Sequence, residues 1–329
     1  CRGLRFSPDG SELAGLFATS GETKLRSWSM AKGEVVVDHS FPADLWHTSL
    51  SSFGYKGPPI EWMPDGSGWL LYGHLITDRA TGRFVWMLRS APDDLNPPPR
   101  RILDNDHMLV ATGSRGQNKQ LKVVTLPWPE IDAALKALAA NVPAHVRPGQ
   151  AVSLQIEVGK VRQGTPEQTK AELTKALTER LEGDGIQVAD DQSTVLHVRY
   201  SEEAGEKLQE FARQDGKPGP AIPGIPGPLG GNAVATGKTV QATKAVCELA
   251  WKTADSKDPI WSNRIDLDPK SLIVREATDA AARESGFRLL QSQLQQQPIP
   301  YFVPKENNVA TLPGATDLAT VSPKATNKA

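Results

Sequence analysis

The sequence predicts a multidomain protein, an all-β region followed by an α+β domain. Three observations carry that expectation. Phe6-Ser7-Pro8-Asp9-Gly10-Ser11 and Trp62-Met63-Pro64-Asp65-Gly66-Ser67 repeat one pattern, an apolar lead into Pro-Asp-Gly with an apolar run behind it. Near residue 150 the pattern changes to a long alternating strand and then a capped helix. The 28 glycines and 26 prolines among 329 residues demand many turns, and the length suggests two domains or one large one.

Each Pro-Asp-Gly segment reads as strand, tight turn and returning strand, because Pro presets φ and Asp-Gly accepts positive φ. A unit that recurs in this way cannot bury its apolar face alone and stacks on copies of itself, as propeller blades do. In the first copy Glu12–Phe17 follows the turn. Lys24–Ser29 alternates, Ala31–Glu34 turns and Val35–Val37 resumes the sheet. The second copy runs Trp69–Tyr72, Leu75–Asp78, the turn Arg79-Ala80-Thr81-Gly82, then Phe84–Leu88. A weaker third comprises Arg101–Leu103, His107–Ala111 and Leu121–Leu126.

The order Ser-Pro-Asp-Gly, strand, (Leu/Ile)-x-x-(Trp/Asp), Ala-x-Gly, strand resembles the WD40-type and TolB-type repeats of bacterial β-propellers. Phe6 to Val37 is the close match, and Trp62 to Leu88 is looser, with its inner spacing shortened. The resemblance implies a partial WD40-like β-propeller of about 2–3 blades in 1–128, with no catalytic residues attached to the repeat. Propellers have four to eight blades. The chain is therefore expected to be the C-terminal portion of a longer protein, or its blades close against something else.

Asn96-Pro97-Pro98-Pro99 reads as a rigid surface crossing. Residues 129–149 are expected to hold a short helix, Pro129 to Leu138, and a linker. Pro129 suits the first helical position, and Ile131, Ala134, Leu135 and Leu138 share a face. The α+β domain is placed at 150–304. Val152, Leu154, Ile156 and Val158 alternate with polar residues. Thr165, Pro166 and Gln168 form a capping-box start for a helix lined by Leu173, Ala176, Leu177 and Leu181. Ile186–Val188 and Leu196–Tyr200 read as strand, and 203–214 as a short polar helix. A Gly/Pro-rich insertion spans 216–233, where Gly-x-y periodicity is too brief for collagen. A hairpin follows from Val240–Trp251 to Ile260–Leu267. A last helix, about Thr278 to Gln295, turns Ala282, Leu290 and Leu294 inward. Residues 305–329 are polar and expected to be a disordered tail. The element order over 150–304 is similar to small envelope lipoproteins, including the lipopolysaccharide-assembly lipoprotein. No diagnostic motif accompanies that likeness, so the family stays unknown and no function is carried over.

Composition excludes several function classes. Net charge is −1 from 37 basic and 38 acidic residues, so nucleic-acid binding lacks global electrostatic support. Two cysteines exclude a disulfide framework, and no apolar run approaches the ~18–20 residues of a membrane-spanning helix. Cys247, in an apolar stretch, reads as a buried small hydrophobe. Cys1 could be the lipidated first residue of a lipoprotein. Leu4-Arg5-Phe6 already looks like a strand and leaves no polar tether, so the expectation is a chain that begins mid-gene. No targeting signal is present, and the compartment, cytoplasm or envelope, stays open.

The chemical motifs fail on spacing. Gly231–Thr239 ends like a P-loop, but five residues separate its glycines where four are needed to curl successive N–H groups around phosphate. The six histidines (His39, His47, His74, His107, His145, His197) show no metal-ligand spacing. Asp104-Asn105-Asp106-His107 lacks the glycine and distal glutamate of a calcium loop and reads as a polar turn. Gly-x-Ser-x-Gly is absent. The eight tryptophans read mainly as core, with Trp46 the exposed exception. Phe41–Tyr55 and Lys217–Gly231 are the long loops where binding could be placed. The sequence thus predicts no catalytic, cofactor-binding or metal-binding residue and no cofactor. It predicts a non-enzymatic protein-interaction or scaffolding module with protein partners, no nucleic acid and no membrane-spanning segment. The alternatives are a regulatory part of a larger enzyme and an envelope lipoprotein involved in assembly.

Overall fold

The computed structural model describes residues 1–19, 22–41, 57–89, 100–112, 120–162, 164–213, 233–254, 256–267, 278, 283–284, 286–287, 290, 294, 299–306 and 308–318. The chain is mostly β, with two helices and several separate sheets. It divides into two compact units. Unit 1 comprises Cys1–Pro148, Gly183–Gly185 and Gln296–Ala329; unit 2 comprises Gly149–Glu182 and Ile186–Gln295. In chain order, unit 2 is an insertion into unit 1.

Unit 1 is built from a repeated antiparallel meander. Sheet 1 runs β1 (Gly3–Phe6), β2 (Glu12–Thr19), β3 (Glu22–Ser29) and β4 (Val35–Phe41) in sequence order. Sheet 2 runs β5 (Ile60–Trp62), β6 (Gly68–Leu71), β7 (Leu75–Asp78) and β8 (Phe84–Arg89) the same way. Sheet 3 has three strands, β9 (Arg100–Ile102), β10 (His107–Thr112) and β11 (Gln120–Thr125). After β11 the chain enters α1 (Trp128–Ala139), where the first two sheets have their fourth strand.

The three sheets match hydrogen bond by hydrogen bond. Ser7, Met63 and Leu103 each donate N–H across the first turn, to Glu12, Gly68 and His107 carbonyls. Asp9, Asp65 and Asp104 each accept the N–H two residues on, from Ser11, Ser67 and Asp106, at 3.0, 2.9 and 2.9 Å. Met30, Arg79 and Leu126 then donate back to the Ser11, Ser67 and Asp106 carbonyls. In sheets 1 and 2 even the register shift recurs, between Ser27 and Trp28 and between Ile76 and Thr77. Gly10 and Gly66 close the turns at φ 73° and 72°, a left-handed conformation that glycine adopts without steric cost.

Unit 2 is one mixed five-stranded sheet with helical segments. Its order is β14 (Gln187–Val188), β13 (Ala151–Val158), β15 (Thr194–Arg213), β16 (Ala233–Thr253), β17 (Trp261–Leu267). β13 pairs in parallel with β14 and β15, and the rest are antiparallel. Between β13 and β14 lies α2 (Pro166–Gly183), which buries Leu173, Ala176, Leu177 and Leu181. Thr165 caps it, its hydroxyl accepting the Gln168 N–H at 3.1 Å. Arg283, Glu284, Gly286, Phe287, Leu290 and Leu294 are helical, and Phe287, Leu290 and Leu294 are buried. Phe287 meets the Tyr200 ring edge-on at 6.0 Å. Leu196, Val198, Tyr200, Cys247, Leu249 and Trp251 complete this core.

Several expectations need correction. Residues 203–213 are strand, not a short polar helix: pairing with β16 from Glu203↔Lys244 to Arg213↔Ala233 overrides their polar composition. β16 begins at Ala233, seven residues before the expected hairpin strand. The expected linker contains β12 (Ala144–Val146), which pairs with β18 (Val303–Pro304). The expected disordered tail is structured as far as Leu318, and residues 319–329 lie outside the described residues. Ile299, Tyr301, Phe302, Leu312 and Leu318 are buried, and β19 (Gly314–Asp317) joins sheet 2 in parallel beside β8. These apolar side chains are few and widely spaced, so a polar composition conceals them. Residues 299–318 accordingly group with unit 1, which moves the expected boundary at 304 back to 295.

Candidate interaction faces

Alternation along each strand gives sheets 1, 2 and 3 two faces apiece, and apolar side chains lie on both, only some of them covered. Ala14, Leu16 and Leu25 on one face of sheet 1 form a single buried cluster with Ile60, Trp62, Trp69, Leu71 and Leu75 of sheet 2. Polar groups fix the sheets to one another at the edges of this cluster. The Trp62 Nε1–H donates to the Arg5 carbonyl at 3.0 Å. Arg79 forms an ion pair with Glu12, whose other oxygen accepts the Ser27 hydroxyl at 2.9 Å. The His39 Nε2–H donates to the Arg79 carbonyl at 2.8 Å. On the other side, Arg100 of β9 donates to the Gly73 and Leu88 carbonyls of sheet 2 at 2.6 and 3.1 Å. Met108, Val110 and Val124 of sheet 3 are buried.

The outward faces are the exception. On sheet 1, Leu4 and Phe6 are 47% and 60% exposed. By register they flank Gly15 and Leu13, and Phe17 and Trp28 meet edge-on at 5.9 Å on the same face. On sheet 3, Leu121 and Val123 are 70% and 48% exposed, and Val123 lies opposite Leu109 and through it Arg101. The repeat makes the comparison direct. Phe6 and Trp62 hold the same position in successive sheets, yet Trp62 is buried and Phe6 open. Leu25 and Leu121 likewise sit on corresponding strands, one buried and one open. The Leu4 face of sheet 1 also holds the exposed Arg26–Asp38 ion pair, 2.8 Å long, in the same cross-strand row as Leu4 and Gly15. Its exposed apolar side chains and those of sheet 3 form the candidate interaction surface.

A charged row accompanies these faces. Arg5, Glu61 and Arg101 occupy equivalent positions on the first strands of the three sheets. Burial pushes the Glu61 carboxyl up, against the opposing pull of Arg101 and Arg5. Its Oε1 is buried without a hydrogen bond among the described residues.

Unit 2 carries a different kind of polar site. The Glu202 carboxylate, on β15 opposite Ala245 of β16, is buried and accepts three hydrogen bonds. These come from the Tyr200 hydroxyl at 2.7 Å, Arg283 Nε at 2.9 Å and the Arg162 N–H at 2.8 Å. The Glu202 backbone N–H donates in turn to the Lys160 carbonyl at 2.7 Å. Arg283 also reaches the Thr169 hydroxyl at 3.0 Å and lies over the Phe287 ring. Burial and the adjacent carboxylate raise the Tyr200 hydroxyl far above its ordinary range. Every charged group here is paired, which fits a structural clamp between sheet and helices. On the opposite, solvent-facing side, Glu157, Arg199, Glu248 and Arg264 stand directly across four strands in alternating charge. Arg199 Nε meets Glu157 at 3.2 Å and Arg264 Nη1 meets Glu248 at 2.8 Å.

The sequence motifs that suggested chemistry occupy structural positions. Asp104 accepts from Asp106 N–H and meets His107 Nδ1 at 2.9 Å, a turn in the repeat. Residues 233–239 of the P-loop-like segment are extended strand, and Gly231 and Asn232 lie outside the described residues. Cys247 is buried, which pushes its thiol up to about 12 and removes thiolate reactivity at neutral pH; Cys1 is exposed. Trp62, Trp69, Trp86 and Trp251 are buried. Trp46 and the two long loops fall outside the described residues, except Phe41, which is buried. Among the described residues no group of three or more His, Cys, Asp or Glu is placed to hold a metal ion. No described helix is long and apolar enough to cross a membrane.

No protein-family model and no curated protein matches the chain. Among solved structures, a neuraminyllactose-binding hemagglutinin homolog from Helicobacter pylori is similar at 14% identity and a TM-score of 0.31, over 47% of this chain and 87% of that one. A PDZ domain protein from Parabacteroides distasonis is similar at 6% identity and a TM-score of 0.24, over 60% of this chain and 48% of that one. At these scores neither likeness assigns a fold family or a function to the chain.

Proposed function

We propose that the chain is a non-enzymatic protein-interaction or scaffolding module of the WD40-like, TolB-type β-propeller class. Sheets 1, 2 and 3 act as consecutive blades, and unit 2 is carried by them as an inserted α+β domain. The observation that carries this reading is the paired exposure of equivalent faces. The middle sheet buries both of its faces, whereas each flanking sheet leaves one apolar face open. A blade in a radial array is covered on both sides. The two open faces are therefore the surfaces through which the module engages protein.

Polar replacement on the open faces tests the reading. Phe6→Ser and Leu121→Ser remove exposed apolar surface without touching the buried cluster, so thermal unfolding of unit 1 stays within about 0.5 kcal/mol of the parent. The same variants weaken binding of a hydrophobic fluorescent dye and concentration-dependent association in sedimentation. Melting lowered by about 2 kcal/mol or more, with unchanged dye binding, would show these side chains to be internal packing and defeat the proposal.

A further inference from the structure

The outer edge of sheet 2 is occupied in an unusual way. Sheets 1, 2 and 3 are otherwise antiparallel meanders of strands close in sequence, yet β19 lies parallel to β8 with Gly314↔Trp86 and Asp317↔Arg89 in register. The fit is specific at each of four positions. A Cβ on Gly314 would fall 2.2 Å from the Trp86 ring, so the indole lies flat against the strand where no side chain intervenes. Two residues on, Thr316 Oγ1 accepts the Trp86 Nε1–H at 2.9 Å. Asp317 pairs in register with Arg89 and favours its charged form, which burial alone would disfavour. Leu318 is buried and donates its N–H to the Arg89 carbonyl at 3.0 Å.

The geometry points to β8 as a strand-acceptor site for an extended Gly-x-Thr-Asp-Leu segment of a protein partner, with the chain's own residues 314–318 as its tethered occupant. Main-chain bonds along β8 supply affinity. The flat indole, its N–H, the Arg89 guanidinium and the Leu318 site supply selection, the division of labour in recognition by strand addition. The sequence that fits is read from the molecule itself, and the acid–guanidinium pair gives it one orientation. Attached to the same polypeptide, the resident strand competes at an effective concentration of about millimolar. An incoming segment binds only when the resident strand is displaced, so the edge is gated by the chain that owns it. The acceptor site stands apart from the propeller reading, because it needs only sheet 2 and its edge.

The test uses the full chain and a labelled heptapeptide, Leu-Pro-Gly-Ala-Thr-Asp-Leu, followed by fluorescence anisotropy. Gly314→Val drives a side chain into the Trp86 ring and expels the resident strand. The peptide is expected to bind this variant at least ten-fold more tightly than the parent. A peptide carrying valine for glycine is expected to lose at least ten-fold on the variant. Should Gly314→Val fail to fold, Thr316→Val with Asp317→Lys weakens the resident strand without a clash and takes the same titration. Equal affinity for parent and variant, or indifference to the glycine, would overturn the proposal. Exchange of the strand between two copies, seen as a dimer of the parent that excludes the peptide, would also overturn it.

Discussion

The open faces of the two units are built on opposite principles. The solvent side of the unit 2 sheet carries Glu157, Arg199, Glu248 and Arg264 in one row of alternating charge, so water can remain there at no cost. The outer faces of sheets 1 and 3 instead carry Leu4, Phe6, Leu121 and Val123, all of them exposed. Sheet 1 sets its Arg26–Asp38 ion pair among those apolar residues, so its open face mixes the two kinds where unit 2 carries the charge row. The contrast teaches that a repeat stores part of its folding free energy in its neighbours. The five-stranded sheet of unit 2 buries Leu196, Val198, Leu249 and Trp251 within its own unit.

Three sets of substitutions probe the contrast, in descending order of expected effect. Arg283→Met leaves Glu202 buried without its guanidinium, and the loss of one partner of such a pair costs about 3–5 kcal/mol. The loss is expected in the transition of unit 2 alone, read by hydrogen exchange at the β15–β16 amides. Equal loosening of β2 and β3 would mean that the units do not unfold independently. Gly10→Val and Gly66→Val place a β-branched residue at φ 73° and 72° and should each destabilise unit 1 by more than ~1 kcal/mol. Space around both positions is open, so the cost comes from the backbone and not from a clash. Unchanged melting in both variants would break the claim that the repeated turns are under the same constraint. Arg199→Ala removes one rung of the exposed charge row and should shift melting by less than about 1 kcal/mol. That shift should vanish in molar salt, where the screening length falls to about 3 Å. A larger, salt-independent loss would give the row a structural role of its own.

Much of unit 1 was legible in the sequence because the information is local. Pro-Asp-Gly and Ala-x-Gly each fix a turn within a few residues, and the strands between them alternate. The helix at 166–183 was legible for the same reason, from Thr165, Pro166 and Gln168. What escaped depends on partners remote in the chain. Glu203 to Arg213 is polar and reads as helix until β16 is beside it. Leu312 and Leu318 are isolated apolar residues in a polar tail, and nothing nearby announces Trp86. The clamp at Glu202 was missed because two of its three donors, Arg162 and Arg283, lie 40 and 81 residues away. Exposure on one sheet and burial on the next at the same repeat position could not be read from residue type, since Phe6 and Trp62 are both aromatic.

The bond from Trp86 to Thr316 spans 230 residues. A ribosome working at about 5–20 residues per second needs roughly 10–50 s to deliver the second of these after the first. For that interval sheet 2 stands with a bare rim while the whole inserted domain is being synthesised. Whatever meets the nascent chain then, a chaperone or a neighbouring polypeptide, finds the hydrogen-bonding edge of β8 before its intended strand exists.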